Sequence, residues 1–188
     1  MASSRTVRFR IHPSPIGDIL IVTTDDGIVS LHPADGAVDA ELERVALLLR
    51  SATEPDDADA AADRAVQQLD EYFAGERQRF DLPLDWRLVR GFTRAALEET
   101  CEIPYGETAS YGEIAVRAGS PGAARAVGTA CARTPFSVIV PVHRVVRADG
   151  SLGEYGGRPE MKKFLVALER DVLERGRRDR KDSDTAGV

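Results

Sequence analysis

Apolar and polar residues alternate along Val7-Arg8-Phe9-Arg10-Ile11, and apolar runs Ile19–Val22 and Ile28–Leu31 flank the turn residues Asp25-Asp26-Gly27. That pattern predicts a small antiparallel sheet with a hairpin. Residues 37–50 read as a helix, and Ser51 to Asp63, rich in Ala, Asp and Glu, as a solvated connector. Val66, Leu69, Tyr72 and Phe73 then recur at helical spacing, and Phe80 to Leu84 offers a last strand. A first domain over residues 1–85 is expected.

Beyond it the periodicity becomes helical. Phe92 to Ile103 reads as a helix and Pro104-Tyr105-Gly106-Glu107 as a turn. Ser110-Tyr111-Gly112-Glu113 has the Ser-x-x-Glu form of a capping box, in which each side chain bonds the other residue's amide, so a helix should start there. Gly119-Ser120-Pro121-Gly122 breaks it, and Ala123 to Arg133 resumes, giving the lengths of a helix-turn-helix. Ser137 to Val140 is β-branched and reads as a strand. Met161, Phe164, Leu165, Leu168 and Val172 mark a closing amphipathic helix. The expected second domain covers residues 86–175, and the Arg/Asp-rich segment 176–188 is expected to be disordered. The fold class is α/β of the α+β kind: a small antiparallel-sheet N-terminal domain and a mostly helical C-terminal domain.

Charge adds an asymmetry. The net charge is -6, but residues 1–85 hold 8 Lys/Arg against 17 Asp/Glu, and residues 86–188 hold 17 against 14. A polyanion should therefore meet the second half. Two cysteines thirty positions apart, Cys101 and Cys131, with His12, His32 and His143 scattered, match neither a disulfide framework nor a zinc spacing. No metal and no cofactor is expected. No run approaches the roughly 18 apolar residues of a membrane span, so a cytoplasmic protein without membrane contact is expected.

Four blocks in register then change the picture: Ile103-Pro-Tyr-Gly-Glu-Thr-Ala-Ser-Tyr-Gly-Glu-Ile-Ala115, Gly122-Ala-Ala-Arg-Ala-Val-Gly128, Ile139-Val-Pro-Val-His-Arg-Val145, and Tyr155-Gly-Gly157 followed by a helix with Glu169. In order and spacing the chain resembles the O6-alkylguanine-DNA alkyltransferases, most strongly over residues 85–175. Ser14-Pro-Ile-Gly17 and Gln68-Leu-Asp-Glu-Tyr-Phe-Ala-Gly75 extend the likeness more loosely into the first half. The resemblance implies a helix-turn-helix in the minor groove of duplex DNA carrying an alkylated guanine, with the damaged base flipped into a pocket. It assigns Arg125 as the finger that replaces the extruded nucleotide, Tyr111 as the residue that turns the target phosphate, and Ala123, Ala124 and Gly128 as small residues at the groove. Thr134 stands where the family has an asparagine. Tyr155, Gly156, Gly157 and Cys131 would border the pocket. The resemblance also implies a monomer, associated with the nucleoid when on DNA.

The family's chemistry runs through a cysteine activated by histidine and glutamate. His143 and Glu169 match that pair, but the cysteine position is Val142. A hydrocarbon side chain has no lone pair and cannot form a thioether. The expectation is therefore non-catalytic binding of O6-alkylguanine DNA, not an enzyme, with the lesion passed to excision-repair proteins. Three alternatives stand beside it: transfer to a displaced nucleophile, Cys131; water activation by His143 and Glu169; and a DNA-binding or protein-interaction module without lesion specificity.

Overall fold

The structure, a computed structural model, describes residues 7–34, 38–56 and 58–185, with side chains described as far as residue 178. The chain folds as two compact units. One comprises Met1–Ala95 with Arg133–Val140, the other Ala96–Ala132 with Pro141–Val188. The architecture is α+β, with a small sheet in the first unit and helices dominating the second.

In the first unit β1 (Val7–His12), β2 (Ile19–Thr24), β3 (Gly27–Pro33) and β4 (Thr53–Pro55) form a sheet in the order β3-β2-β1-β4. β1 and β2 pair antiparallel with Phe9 opposite Val22, and β2 pairs antiparallel with β3 through a bulge at Val22/Thr23. β4 joins β1 in parallel, inside the stretch expected to be a connector. All six residues of β2 are buried, because both faces of the strand are covered. Leu20, Val22 and Val29 pack with Leu42 and Val45 of α1 (Val38–Leu49). On the opposite face Thr23 Oγ1 donates to Asp59, the residue that caps α2 (Ala60–Phe73) through the amide of Ala61. Residue 37, included in the expected first helix, lies outside the described residues, as do 186–188 of the expected tail.

Two expected strands are absent. Over residues 80–84 only Leu84 makes an isolated bridge, to Ile28. Pro83 has no N–H for a ladder, and its carbonyl accepts from Ile28 N at 2.8 Å. Residues 137–140 are turn, not strand. Ile139 N donates to Ser137 O at 2.8 Å and Val140 N to Phe136 O at 3.1 Å, so these amides close the turn locally. Val138 takes φ 69°, a region that costs a β-branched residue energy. Phe136 bridges Leu31 and stacks edge-on against Trp86 at 4.9 Å.

The second unit is built from α3 (Gly91–Cys101, whose first turn lies in the first unit), α4 (Tyr111–Arg117), α5 (Ala124–Ala132) and α6 (Pro159–Thr185), with a two-stranded parallel pair β5 (Ala109–Ser110) and β6 (Val145–Val146). The capping box forms as read. Ser110 N donates to Glu113 Oε2 at 2.6 Å, and Glu113 N to Ser110 Oγ at 3.2 Å. The expectation of disorder from residue 176 is corrected as far as Thr185, since α6 continues to that residue. Helix-breaking residues are few there, and Arg178 reaches Glu174 one turn back at 3.6 Å.

Candidate functional site

α6 presents an unexpected face inward. Phe164 is 40% exposed, whereas Lys162, Leu165 and Glu169, spaced three and four residues apart, are buried. Two ionisable groups on a buried stripe need polar partners, and both have them. Glu169 Oε1 is 2.8 Å from His143 Nε2. Arg144 Nε lies 3.0 Å from Glu169 Oε2 and its Nη2 3.0 Å from Oε1, a fork-to-carboxylate geometry. Glu169 Oε2 also accepts from Gly106 N at 2.9 Å, and Arg144 Nη1 donates to Ile103 O at 2.6 Å. Gly106 has φ 75°, and a Cβ there would collide with Leu173.

Burial acts to raise the Glu169 pKa, but the His143 and Arg144 contacts outweigh it and bring the carboxyl to about 2. Burial pushes the His143 pKa below the usual imidazole range, against the opposing pull of Glu169. A neutral ring beside an ionised carboxylate carries its proton on Nε2 and donates it to Glu169, which leaves the basic lone pair on Nδ1. His143 sits in a 3-10 turn, Val142–Arg144, that follows Pro141. Val142 is 2% exposed and is the first residue of that turn.

Tyr111 opens α4 and is half-buried. Its hydroxyl occupies the space a Cβ of Gly153 would need, so any larger residue at 153 would displace this ring. Gly128 lies against the other side of the tyrosine, 3.9 Å away by the same measure, which is ordinary contact. Lys162 Nζ stands 5.8 Å from the Tyr111 ring centroid and donates to Val145 O at 2.5 Å. Burial lowers the Lys162 pKa to about 8, and raises the Cys131 thiol to about 12 despite the nearby Lys162 charge.

On α5, Arg125 is exposed in the first turn, after the partly buried Ala123 and Ala124. Ala123 O accepts from Ala126 N and Val127 N and so closes that turn. Tyr155 is buried, and Gly156 and Gly157 both have positive φ, 56° and 81°. No neighbour crowds Gly157, so the backbone conformation and not lack of space calls for glycine there. Thr134 belongs to the first unit. Its hydroxyl accepts from Phe136 N at 3.2 Å and so caps the turn that follows.

Sequence reasoning placed His143 and Glu169 together, but it gave no role to Arg144, Gly106, Gly153 or Lys162. Arg144 was within reach, since it adjoins His143. Lys162 was not, because a lysine on a helix ordinarily reads as solvated. Among the described residues no group of three or more His, Cys, Asp and Glu could hold a metal ion, and no helix is long and apolar enough to cross a membrane.

The fold and the buried imidazole–carboxylate–guanidinium cluster define a two-unit α+β protein whose helical unit holds a basic nitrogen beside a short turn. Residues 7–86 match the ribonuclease-like domain of 6-O-methylguanine DNA methyltransferase, and residues 91–171 match its DNA binding domain. The chain is 41% identical to a methylated-DNA–protein-cysteine methyltransferase of Mycolicibacterium paratuberculosis, over 87% of this chain and 93% of that protein. It is 36% identical to one of Methanosarcina barkeri, over 88% and 98%. The crystal structure of Mycobacterium tuberculosis O6-methylguanine methyltransferase superposes with TM-score 0.73 at 39% identity, covering 88% of this chain and 93% of that one. The Mycobacterium tuberculosis OGT in complex with DNA gives TM-score 0.72 at 38% identity, covering 89% and 94%. The chain belongs to the O6-methylguanine DNA methyltransferase family. That corrects the expectation that it is not an enzyme: relatives about 40% identical over most of the chain are named as methyltransferases.

Proposed function

We propose that this protein recognises O6-alkylguanine in duplex DNA, using α4 and α5 as a helix-turn-helix in the minor groove and seating the flipped base beside the Val142–Arg144 turn. The observation that carries this reading is an exposed Arg125 on a helix start of small residues, in the same unit as an intact His143–Glu169–Arg144 cluster and a Tyr111 fitted against Gly153. Arg125 fills the gap left by the extruded nucleotide, Tyr111 turns the phosphate, and Tyr155, Gly156 and Gly157 border the base. Cytoplasmic action as a monomer, with excision-repair proteins as partners, belongs to the same reading.

The side chain of residue 142 forms no covalent bond with the lesion, because valine offers no nucleophilic atom. Cys101 and Cys131 are the chain's two thiols. Burial holds them at about 11 and about 12, so little thiolate exists at neutral pH.

The test compares a duplex bearing O6-methylguanine with the same duplex undamaged, in gel-shift titrations at fixed salt. Tighter binding of the lesion is expected, with the preference lost in Arg125→Ala. Equal affinity for both duplexes overturns the reading. Intact mass after incubation locates any alkyl group: none is expected on Val142, and a stoichiometric adduct on Cys131 would assign transfer to that thiol.

A further inference from the structure

The first unit carries a second feature that the lesion site does not use. An open cleft of about 370 Å³ lies where α3 begins, lined among others by Asp26, Leu84, Trp86, Arg87, Arg90 and Arg94. Residues 86–95 contain three arginines and no acidic residue, and they close a compact unit whose residues 1–85 carry 17 Asp/Glu against 8 Lys/Arg. Arg87 is committed: its Nε lies 2.6 Å from Asp85 and its Nη2 bonds Asp26. Asp85 is buried and also accepts from Thr24 Oγ1 at 2.6 Å, so this carboxylate is fully used. Arg94 lies over the Trp86 ring, 5.7 Å from its centroid, a contact that restrains its guanidinium. Arg90 is exposed at the rim.

We infer that this cleft seats a backbone phosphate of a DNA strand. Three arginines against two aspartates leave the lining one positive charge, which suits a singly charged phosphodiester. Planar guanidinium forks match phosphate oxygens. The volume exceeds one anion, and the apolar wall of Leu84, Trp86 and Val89 fits the attached sugar better than it fits a bare carboxylate. The inference rests on the reading that the chain binds DNA, but it concerns affinity and not lesion choice.

Trp86 is the chain's single tryptophan, so its emission reports on the cleft directly. An undamaged duplex is titrated against wild type, Arg90→Ala, Arg90→Glu and Arg94→Ala at several salt concentrations. A saturable change in Trp86 emission is expected in wild type, weakened in Arg90→Glu. The slope of log K against log salt should fall by about 0.9 for each arginine whose phosphate contact is removed. The lesion-to-plain affinity ratio should stay unchanged in these variants. Duplex binding with silent emission and wild-type slopes overturns the inference while leaving the lesion reading intact. No duplex binding at all overturns both. An equal emission change with inorganic phosphate or with a glutamate-rich peptide would assign the cleft to a free anion or to an acidic protein, and so overturn it too.

Discussion

Glu169 is the residue on which most of the second unit's polar interior converges. It accepts from His143, Arg144 and the amide of Gly106. A carboxyl held near 2 instead of its ordinary 4.5 stabilises the fold above pH 4.5 by about 3 kcal/mol. The sign follows from the lowered value: the contribution is complete above 4.5 and disappears as pH falls toward 2. His143 adds an earlier loss. Its folded pKa lies below 6.5, so the unfolded chain takes up a proton first and stability declines as pH drops through 6.5. Thermal melts should therefore show Tm falling in two stages, below about 6.5 and again below about 4.5. Glu169→Gln removes the charge while Arg144 stays buried, and should destabilise the protein by about 3–5 kcal/mol in urea denaturation at pH 7. An unchanged urea midpoint would mean that Arg144 finds another counter-charge.

At the scale of elements, the capped start of α4 matters most, because it sets the direction of the helix that Tyr111 opens. Ser110→Ala removes one half of the capping box and should cost about 1 kcal/mol, lowering Tm by roughly 2–4 °C. Recovery of that loss in Ser110→Asp, which keeps an acceptor for the Glu113 amide, would tie the loss to the cap. This helix was legible from four residues because capping is local chemistry. α2 was legible from Val66 to Phe73 but begins six residues earlier, where Asp59 caps a start that the acidic composition hid. β4, β5 and β6 were not legible: they are two or three residues long and exist through partners distant in sequence. The residues 137–140 misled for the opposite reason. Their β-branched side chains favour a strand, but local amide bonds fold them into a turn. Of the candidate site, the family blocks revealed His143 with Glu169. They did not reveal that Arg144 and Gly106 complete the cluster, since a contact between residue 106 and residue 169 leaves no local periodicity.

For the whole molecule, the division of the chain is less simple than a cut near residue 85. Arg133–Val140 belongs with the first unit, where Leu31 N donates to Pro135 O at 2.7 Å and Ser137 N to Leu31 O at 2.8 Å. A fragment of residues 1–85 lacks these partners as well as Trp86 and Phe136, whose rings pack edge to face. It should show no cooperative thermal transition by circular dichroism, whereas the full chain should melt cooperatively. A sharp melt of that fragment would show that the sheet, α1 and α2 suffice. Charge also acts at this scale. With a net -6 concentrated in the first half, binding to DNA should weaken steeply with salt and depend on local arginines instead of the total.

The bond between Arg144 and Glu169 joins residues 25 apart, with the cation made first. During synthesis the guanidinium emerges before its counter-charge, and the cluster is unfinished until the following helix has been translated. A chain ending before that helix would leave Arg144 without its carboxylate, so the second unit should fail to complete its interior.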